Sequence, residues 1–169
     1  MSVTTAAAAI VAQAIERATG NRMKIKWVND IYNDEGKVCG ILAEAFPSHD
    51  LYAVIVGIGI NIGEPDFPDE LRGIASTVGD IQGKENELIA NIADGLIAHS
   101  ANPTDRKYME AYRKRFMLRG ESVNLYVNGE PMGGGIVVGV DDDGGLMFLP
   151  DGENTVKSIH SGEVSVRKK

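Results

Sequence analysis

The chain has 169 residues, a formal net charge of −7, 43% hydrophobic and 24% charged residues. This is the composition of a soluble globular protein with room for one ordinary domain, or for one medium and one very small domain. It excludes a disordered chain and a helical membrane span, and the acidic balance argues against binding along a DNA or RNA backbone. A single cysteine, Cys39, and three scattered histidines offer no metal-ligand spacing, so no structural zinc is expected.

The opening MSVTTAAAAIVAQAIERATG has no basic leading region, and its apolar positions run on into Glu16 and Arg17. It reads as a helix over residues 4 to 18 ended by Gly20, not as a secretory signal, and a cytoplasmic location follows. MKIKWVND, residues 23 to 30, alternates Met23, Ile25 and Trp27 with Lys24 and Lys26, the pattern of a strand with one buried face. YNDEGK is a turn, and KVCGILAEAF, residues 37 to 46, is the second arm of a hairpin. LYAVIVGIGINIG is nearly continuous in apolar residues and predicts a central strand buried on both faces.

Residues 64 to 80 hold two prolines and two glycines and read as a surface loop with one short helical turn. ENELIANIADGLIAHS then predicts a helix whose buried face carries Leu88, Ile89, Ile92, Leu96 and Ile97. TDRKYMEAYRKRFM predicts another, with Tyr108, Met109, Tyr112 and Phe116 inward. The basic residues at 106, 107, 113, 114, 115 and 119 are expected on its solvated face. After Gly120 the texture changes to short β-type runs divided by Asn-Gly, Asp-Gly and Gly-Gly turns. These predict a small all-β barrel at 120–169 behind a first domain at 1–119, giving an α/β (α+β) fold with a mixed sheet and packed helices.

GIGINIG has the wrong glycine spacing for a dinucleotide loop, and DDDGG at 141–145 lacks the positions of a calcium loop and reads as a hairpin turn. Alternate glycines on a strand permit close approach of a packed helix or of a flat ligand, and the residues leave both open. Asn61 adds a carboxamide at the strand tip. In the first hairpin, Lys26 and Lys37 flank Asn29 and Asp30, so two cations could frame one carboxylate. Such a group suits a phosphorylated ligand, with the carboxylate on Mg²⁺ or a neutral donor; an ordinary solvated hairpin would use the same residues.

KWVNDI, GKVCGILAE and VIVGIGINIG, in that order and spacing, resemble the core of the biotin protein ligases, and the C-terminal β unit is similar to that family's SH3-like domain. The resemblance implies activation of biotin by MgATP to biotinyl-5′-AMP, followed by transfer to a lysine of a carboxylase carrier domain. It implies that Lys37 is the catalytic cation at the biotin carboxylate and phosphate bridge. It also places Lys26, Asn29 and Asp30 on the phosphate and metal side, Gly40 at the biotin ring, Gly57 and Gly59 near the ligand, and Asn61 on the adenine.

Val28 stands where the family pattern has proline, and the family's G-R-G-R-x-G-R loop has no counterpart in these 169 residues. A weak or incomplete ligase is therefore expected, with a non-catalytic binding module for carrier protein or ligand as the alternative and a lipoate-type ligase as a third reading. No DNA-binding role is expected. Uncovered apolar strands predict a homodimer.

Overall fold

A computed structural model describes residues 2–48, 51–64, 66–127, 129–160 and 164–168. The first helix, α1, spans Ser2–Thr19. Its alanines make one side narrow enough to lie flat on a sheet, and Ala7, Ala8, Val11, Ala12 and Ile15 are fully buried. Gly20 ends it at φ 76°, where its N–H reaches the Glu16 carbonyl at 2.8 Å, a left-handed stop that glycine adopts without strain.

Four strands follow in one antiparallel sheet of order β1-β2-β3-β4: β1 (Lys24–Lys26), β2 (Asp30–Tyr32), β3 (Lys37–Ser48) and β4 (Leu51–Ile60). Here the expected single strand over 23 to 30 is corrected. A tight turn at residues 27–29 breaks it in two, and β1 and β2 pair with each other through Lys26 and Asp30. The predicted alternation survives, because Met23, Ile25 and Trp27 are all buried. The mixed sheet is also corrected: short connections keep its named strands antiparallel, and parallel contacts are isolated bridges, such as Ile25 with Phe116.

The second correction concerns β4, which was expected to be central and buried on both faces. It is the edge of the sheet. Val56, Ile58 and Ile60 pack inward against the core, while Ile55 is 61% exposed on the other face. Continuous hydrophobicity signalled two covered faces, but glycines at 57 and 59 leave the outer face with little to bury.

The loop expected over 64 to 80 lies within a longer connection, described at 61–64 and 66–84, with one 3-10 turn at Asp69–Leu71, and Ser76, Val78 and Ile81 in that connection are buried instead of at the surface. Then come α2 (Glu85–Ala101) and α3 (Tyr108–Arg115). α2 crosses α1 at Gly95, where a Cβ would lie 2.6 Å from the Ile10 side chain. Leu88 and Ile92 are buried as predicted, whereas Ile89 and Ile97 are exposed at 64% and 66%. The narrow alanine face of α1 covers a thinner stripe of α2 than its sequence offers. On α3, Met109 and Tyr112 are buried as predicted.

The last five strands are β5 (Ser122–Val127), β6 (Glu130–Val140), β7 (Leu146–Pro150), β8 (Lys157–Ile159) and β9 (Val164–Lys168). They pair antiparallel in the order β8-β7-β6-β5-β9. Val123, Leu125, Val137 and Leu146 from this second sheet join the same buried cluster as α1 and the first sheet. Among the described residues no helix is long and apolar enough to cross a membrane.

The basic cluster around α3 is mostly the solvated face that was expected, with Lys107, Arg113, Lys114 and Arg119 exposed, but Arg106, Arg113 and Arg115 also carry contacts to distant parts of the chain. Arg113 donates to the Val140 carbonyl at 3.1 Å and pairs with Asp142 at 2.5 Å. Arg115, 12% exposed, pairs with Glu16 of α1. Arg106 pairs with Asp143 at 3.3 Å. Arg115 thus joins α3 to α1, and Arg113 and, just before the helix, Arg106 join this region to the 141–145 turn.

Candidate ligand site

The site follows from one irregularity in strand pairing. Along β3, Cys39 and Ile41 face α1 and Gly40 and Leu42 face outward, as strand alternation requires. Continued alternation would turn Lys37 inward with Cys39. A bulge intervenes: Ile31 pairs with Cys39, but the next residue, Tyr32, pairs with Lys37. Val38 is the extra residue and is fully buried, and Lys37 emerges on the same face as Asp30 and Gly40. Its Nζ lies 2.6 Å from Asp30 Oδ1.

Gly40 makes room for this pair. A Cβ there would lie 3.3 Å from both Lys37 Cε and Lys37 Nζ and 3.9 Å from Asp30 Oδ1. Across the strands, Gly40 pairs with Gly59 and Leu42 with Gly57, so three glycines and one leucine form a bare apolar floor beside a paired cation and anion. Asn29, Asp30, Lys37, Gly40, Gly57 and Gly59, with Ile41 and Leu42, line a shallow concavity of about 390 Å³.

The turn carrying Asn29 and Asp30 is fixed at each residue. Trp27 Nε1 donates to the Gly144 carbonyl in the second sheet at 2.9 Å. Tyr112 of α3 donates its hydroxyl to the Val28 carbonyl at 3.1 Å. Asn29 Nδ2 donates to the Ile41 carbonyl at 2.5 Å, and the Ile41 N–H returns a bond to the Asn29 carbonyl at 3.2 Å. The tryptophan that interrupts the first hairpin is therefore a structural peg whose ring is buried and whose single donor is used.

Six of the eight residues singled out in the sequence line one concavity; Lys26 and Asn61 do not. Lys26 is half-buried as the cross-strand partner of Asp30. Asn61 Nδ2 donates to the carbonyls of Ser76 at 3.0 Å and Lys37 at 3.4 Å, holding the 61–84 loop against the start of β3. Only its carbonyl oxygen is left for a ligand. Ile41 and Leu42 were not singled out. Leu42 was within reach of the sequence, since it stands two residues beyond Gly40 on the same strand face.

Burial is the main cause that pushes the Cys39 thiol up to about 12, so behind the site it is a neutral core side chain. Tyr32, beside the bulge, is raised above its ordinary value by burial and then by Asp30, with Lys37 opposing. Among the described residues no three His, Cys, Asp or Glu side chains gather to hold a metal, and Asp30 is the one carboxylate lining the concavity. That set fits a magnesium ion that arrives on a nucleotide and takes a single protein carboxylate.

A larger groove of about 900 Å³ runs between the end of α1, the β2 to β3 turn and the end of α3. Its charges are mixed, and Lys24 with Asp34 and Arg115 with Glu16 already neutralise one another. It contains none of the eight residues singled out in the sequence.

Comparison with known proteins identifies the family and the fold. Residues 1–61 match the Biotin/lipoate A/B protein ligase family, and residues 120–167 match the Biotin protein ligase C terminal domain. The Bifunctional ligase/repressor BirA of Bacillus spizizenii is 32% identical over 97% of this chain and 52% of its own length. The apo biotin protein ligase from Aquifex aeolicus superposes with a TM-score of 0.81 at 29% identity, over 99% of this chain and 75% of that one. The same Aquifex aeolicus enzyme in complex with biotin and ATP matches with a TM-score of 0.81 at 27% identity, over 99% of this chain and 72% of that one. The chain spans about half the length of the curated relatives it matches, and with both halves of its architecture accounted for in order, it belongs to the biotin protein ligase family.

Proposed function

We propose that the open face of the first sheet binds biotin and MgATP and forms biotinyl-5′-AMP, which then acylates a lysine of a carboxylase carrier domain. The observation that carries this reading is the Lys37 and Asp30 pair, 2.6 Å apart, beside a glycine floor. A flat bicyclic ligand fits over Gly40, Gly57 and Gly59 because no Cβ stands in its way, and Leu42 offers it apolar contact. Its carboxylate then points at Lys37. Lys37 is the catalytic residue: its ammonium neutralises charge that grows as a carboxylate oxygen attacks the α-phosphorus and the bond to pyrophosphate breaks. Asp30 would hold the magnesium of the nucleotide, which would neutralise phosphate charge, and Lys26 and Asn29 would stand on the phosphate side.

In the second step the carrier lysine amine attacks the acyl carbon, and AMP leaves as the amide forms. The outer face of β3 and β4 is open to water, with Leu42 60% exposed, so the mixed anhydride is poorly protected and turnover by this chain alone is slow. Among the described residues β4 also has an unpaired edge flanked by exposed Val54 and Ile55, which supports self-association by strand pairing; light scattering over a dilution series measures it.

Biotin-dependent exchange of pyrophosphate into ATP tests the function. Exchange with biotin, little with lipoate and a rate about 10²–10³-fold lower with Lys37→Ala supports the reading. Binding of biotin without exchange in the wild-type chain would favour a binding module, and equal exchange with lipoate would overturn the substrate assignment.

A further inference from the structure

The 141–145 turn, DDDGG, has no role in the chemistry above, yet it is one of the most densely bonded turns in the described structure. Asp141 Oδ1 accepts the N–H groups of Gly145 at 2.8 Å and Asp143 at 3.0 Å. Asp141 Oδ2 accepts the Ser158 hydroxyl and lies 3.3 Å from His160 Nε2. Burial raises the Asp141 carboxyl, but Ser158, the two N–H groups and His160 together hold it below its ordinary value, so the acceptor is an ionised one. The next two aspartates pair with Arg113 of α3 and with Arg106 just before it. Between them and Gly145, the Gly144 carbonyl accepts Trp27 Nε1.

We propose that Asp141 is a positioning residue for the ligase site: by shaping the 141–145 turn it places the Gly144 carbonyl that holds Trp27, and through Trp27 it fixes Asn29 and Asp30. The path is short and covalent after the first contact. Trp27, Val28 and Asn29 are consecutive, and the two other pegs, from Tyr112 and Ile41, hold Val28 and Asn29 but not the tryptophan. Without the Gly144 acceptor, a buried indole N–H is left without its partner, and the turn must move to satisfy it. The second sheet is then part of the active-site scaffold. The consequence falls on the phosphate side, at Asn29 and Asp30, and not on the glycine floor, which β3 and β4 build by themselves.

Its activity readout rests on the ligase reading, so the test needs one arm that does not. The sequence has one tryptophan, and its indole N–H is therefore a single resonance in a nitrogen-proton correlation spectrum of the full chain. In Asp141→Ala the indole resonance and the amides of Asn29 and Asp30 shift, while the amides of Gly57 and Gly59 stay in place. Asp141→Asn, which keeps an oxygen for the Gly145 and Asp143 N–H groups, restores most of the wild-type positions. Gly145→Ala gives a second route, because its Cβ would lie 2.4 Å from His160 Cε1 and 2.6 Å from Asp141 Oδ2 and must displace the carboxylate.

In pyrophosphate exchange, Asp141→Ala raises the KM for ATP about tenfold, the scale of a modest misplacement of binding groups, and leaves the KM for biotin unchanged. Loss of activity only in proportion to the unfolded fraction, or an unmoved indole resonance in both Asp141→Ala and Gly145→Ala, overturns the proposal. If the wild-type chain shows no biotin-dependent exchange, the ligase reading fails, and the spectra alone decide whether Asp141 positions Asn29 and Asp30.

Discussion

The two faces of the first sheet share the same strands and have opposite chemistry. Toward α1 stand Ile25, Ile31, Cys39 and Ile41, none more than 2% exposed. Away from α1 stand Asp30, Gly40, Leu42, Gly57 and Gly59, open to solvent around a salt-bridged lysine. The inner face is filled with β-branched side chains that hold the fold. The outer face lacks Cβ atoms at Gly40, Gly57 and Gly59, where the proposed ligand would lie flat. A strand that carries both duties alternates them residue by residue, and the bulge at Tyr32 shifts Lys37 from one duty to the other.

Substitutions on the two faces should therefore separate stability from chemistry. The largest effect on stability is expected inside: Ile31→Ala, at a fully buried position, should cost about 2–5 kcal/mol in denaturant unfolding. A loss below about 1 kcal/mol would mean that α1 is loosely seated on the sheet. On the outer face, Lys37→Ala should slow adenylate formation by about 10²–10³-fold, the scale of one lost transition-state donor. Its stability should change by less than about 1 kcal/mol, because the pair it breaks with Asp30 is partly exposed. A stability loss as large as that of Ile31→Ala would make Lys37 a structural residue.

The next effect is one of pH and belongs to the closed side. Burial raises the Glu16 carboxyl, but the Arg115 hydrogen bond, the Met23 N–H and the charges of Arg115 and Arg22 together hold it below its ordinary value of 4.5. A depressed carboxylate stabilises the folded state above its unfolded pKa, and that contribution is lost as pH falls through the folded value. Thermal unfolding should therefore show stability declining below about pH 4.5, with a shallower decline in Glu16→Gln. An identical acid profile in the variant would remove Glu16 from the account. The smallest stability effect is expected for Leu42→Ala, within about 0.5 kcal/mol, since the side chain is already exposed. The same change should weaken biotin binding by calorimetry, and unchanged affinity would place the ligand elsewhere.

Much of this was legible in the chain. Alanine spacing and Gly20 located α1, turn residues divided the second sheet into its strands, and the motif order brought six site residues to one concavity. What the sequence hid was long-range. The wrong burial assigned to β4 came from counting apolar residues without asking what could cover a face carrying Gly57 and Gly59. The basic residues in and beside α3 are mostly exposed as read, but the pairs that Arg115, Arg113 and Arg106 make were hidden because their partners lie far along the chain: Glu16 of α1, and Asp142 and Asp143 in the 141–145 turn. The bond from Trp27 to Gly144 spans 117 positions and has no local signal, since a backbone carbonyl leaves no mark in the sequence.

The central claim is that the outer face of the first sheet is the ligand site, and titration of the isotope-labelled full chain with biotin tests it most directly. The amides of Gly40, Leu42, Gly57 and Gly59 and the side chain of Lys37 should shift together along one saturable curve, with α2 unmoved. Shifts gathered instead around Arg22 and Lys114 in the larger groove, or a spectrum that biotin leaves unchanged up to millimolar concentration, would contradict the account.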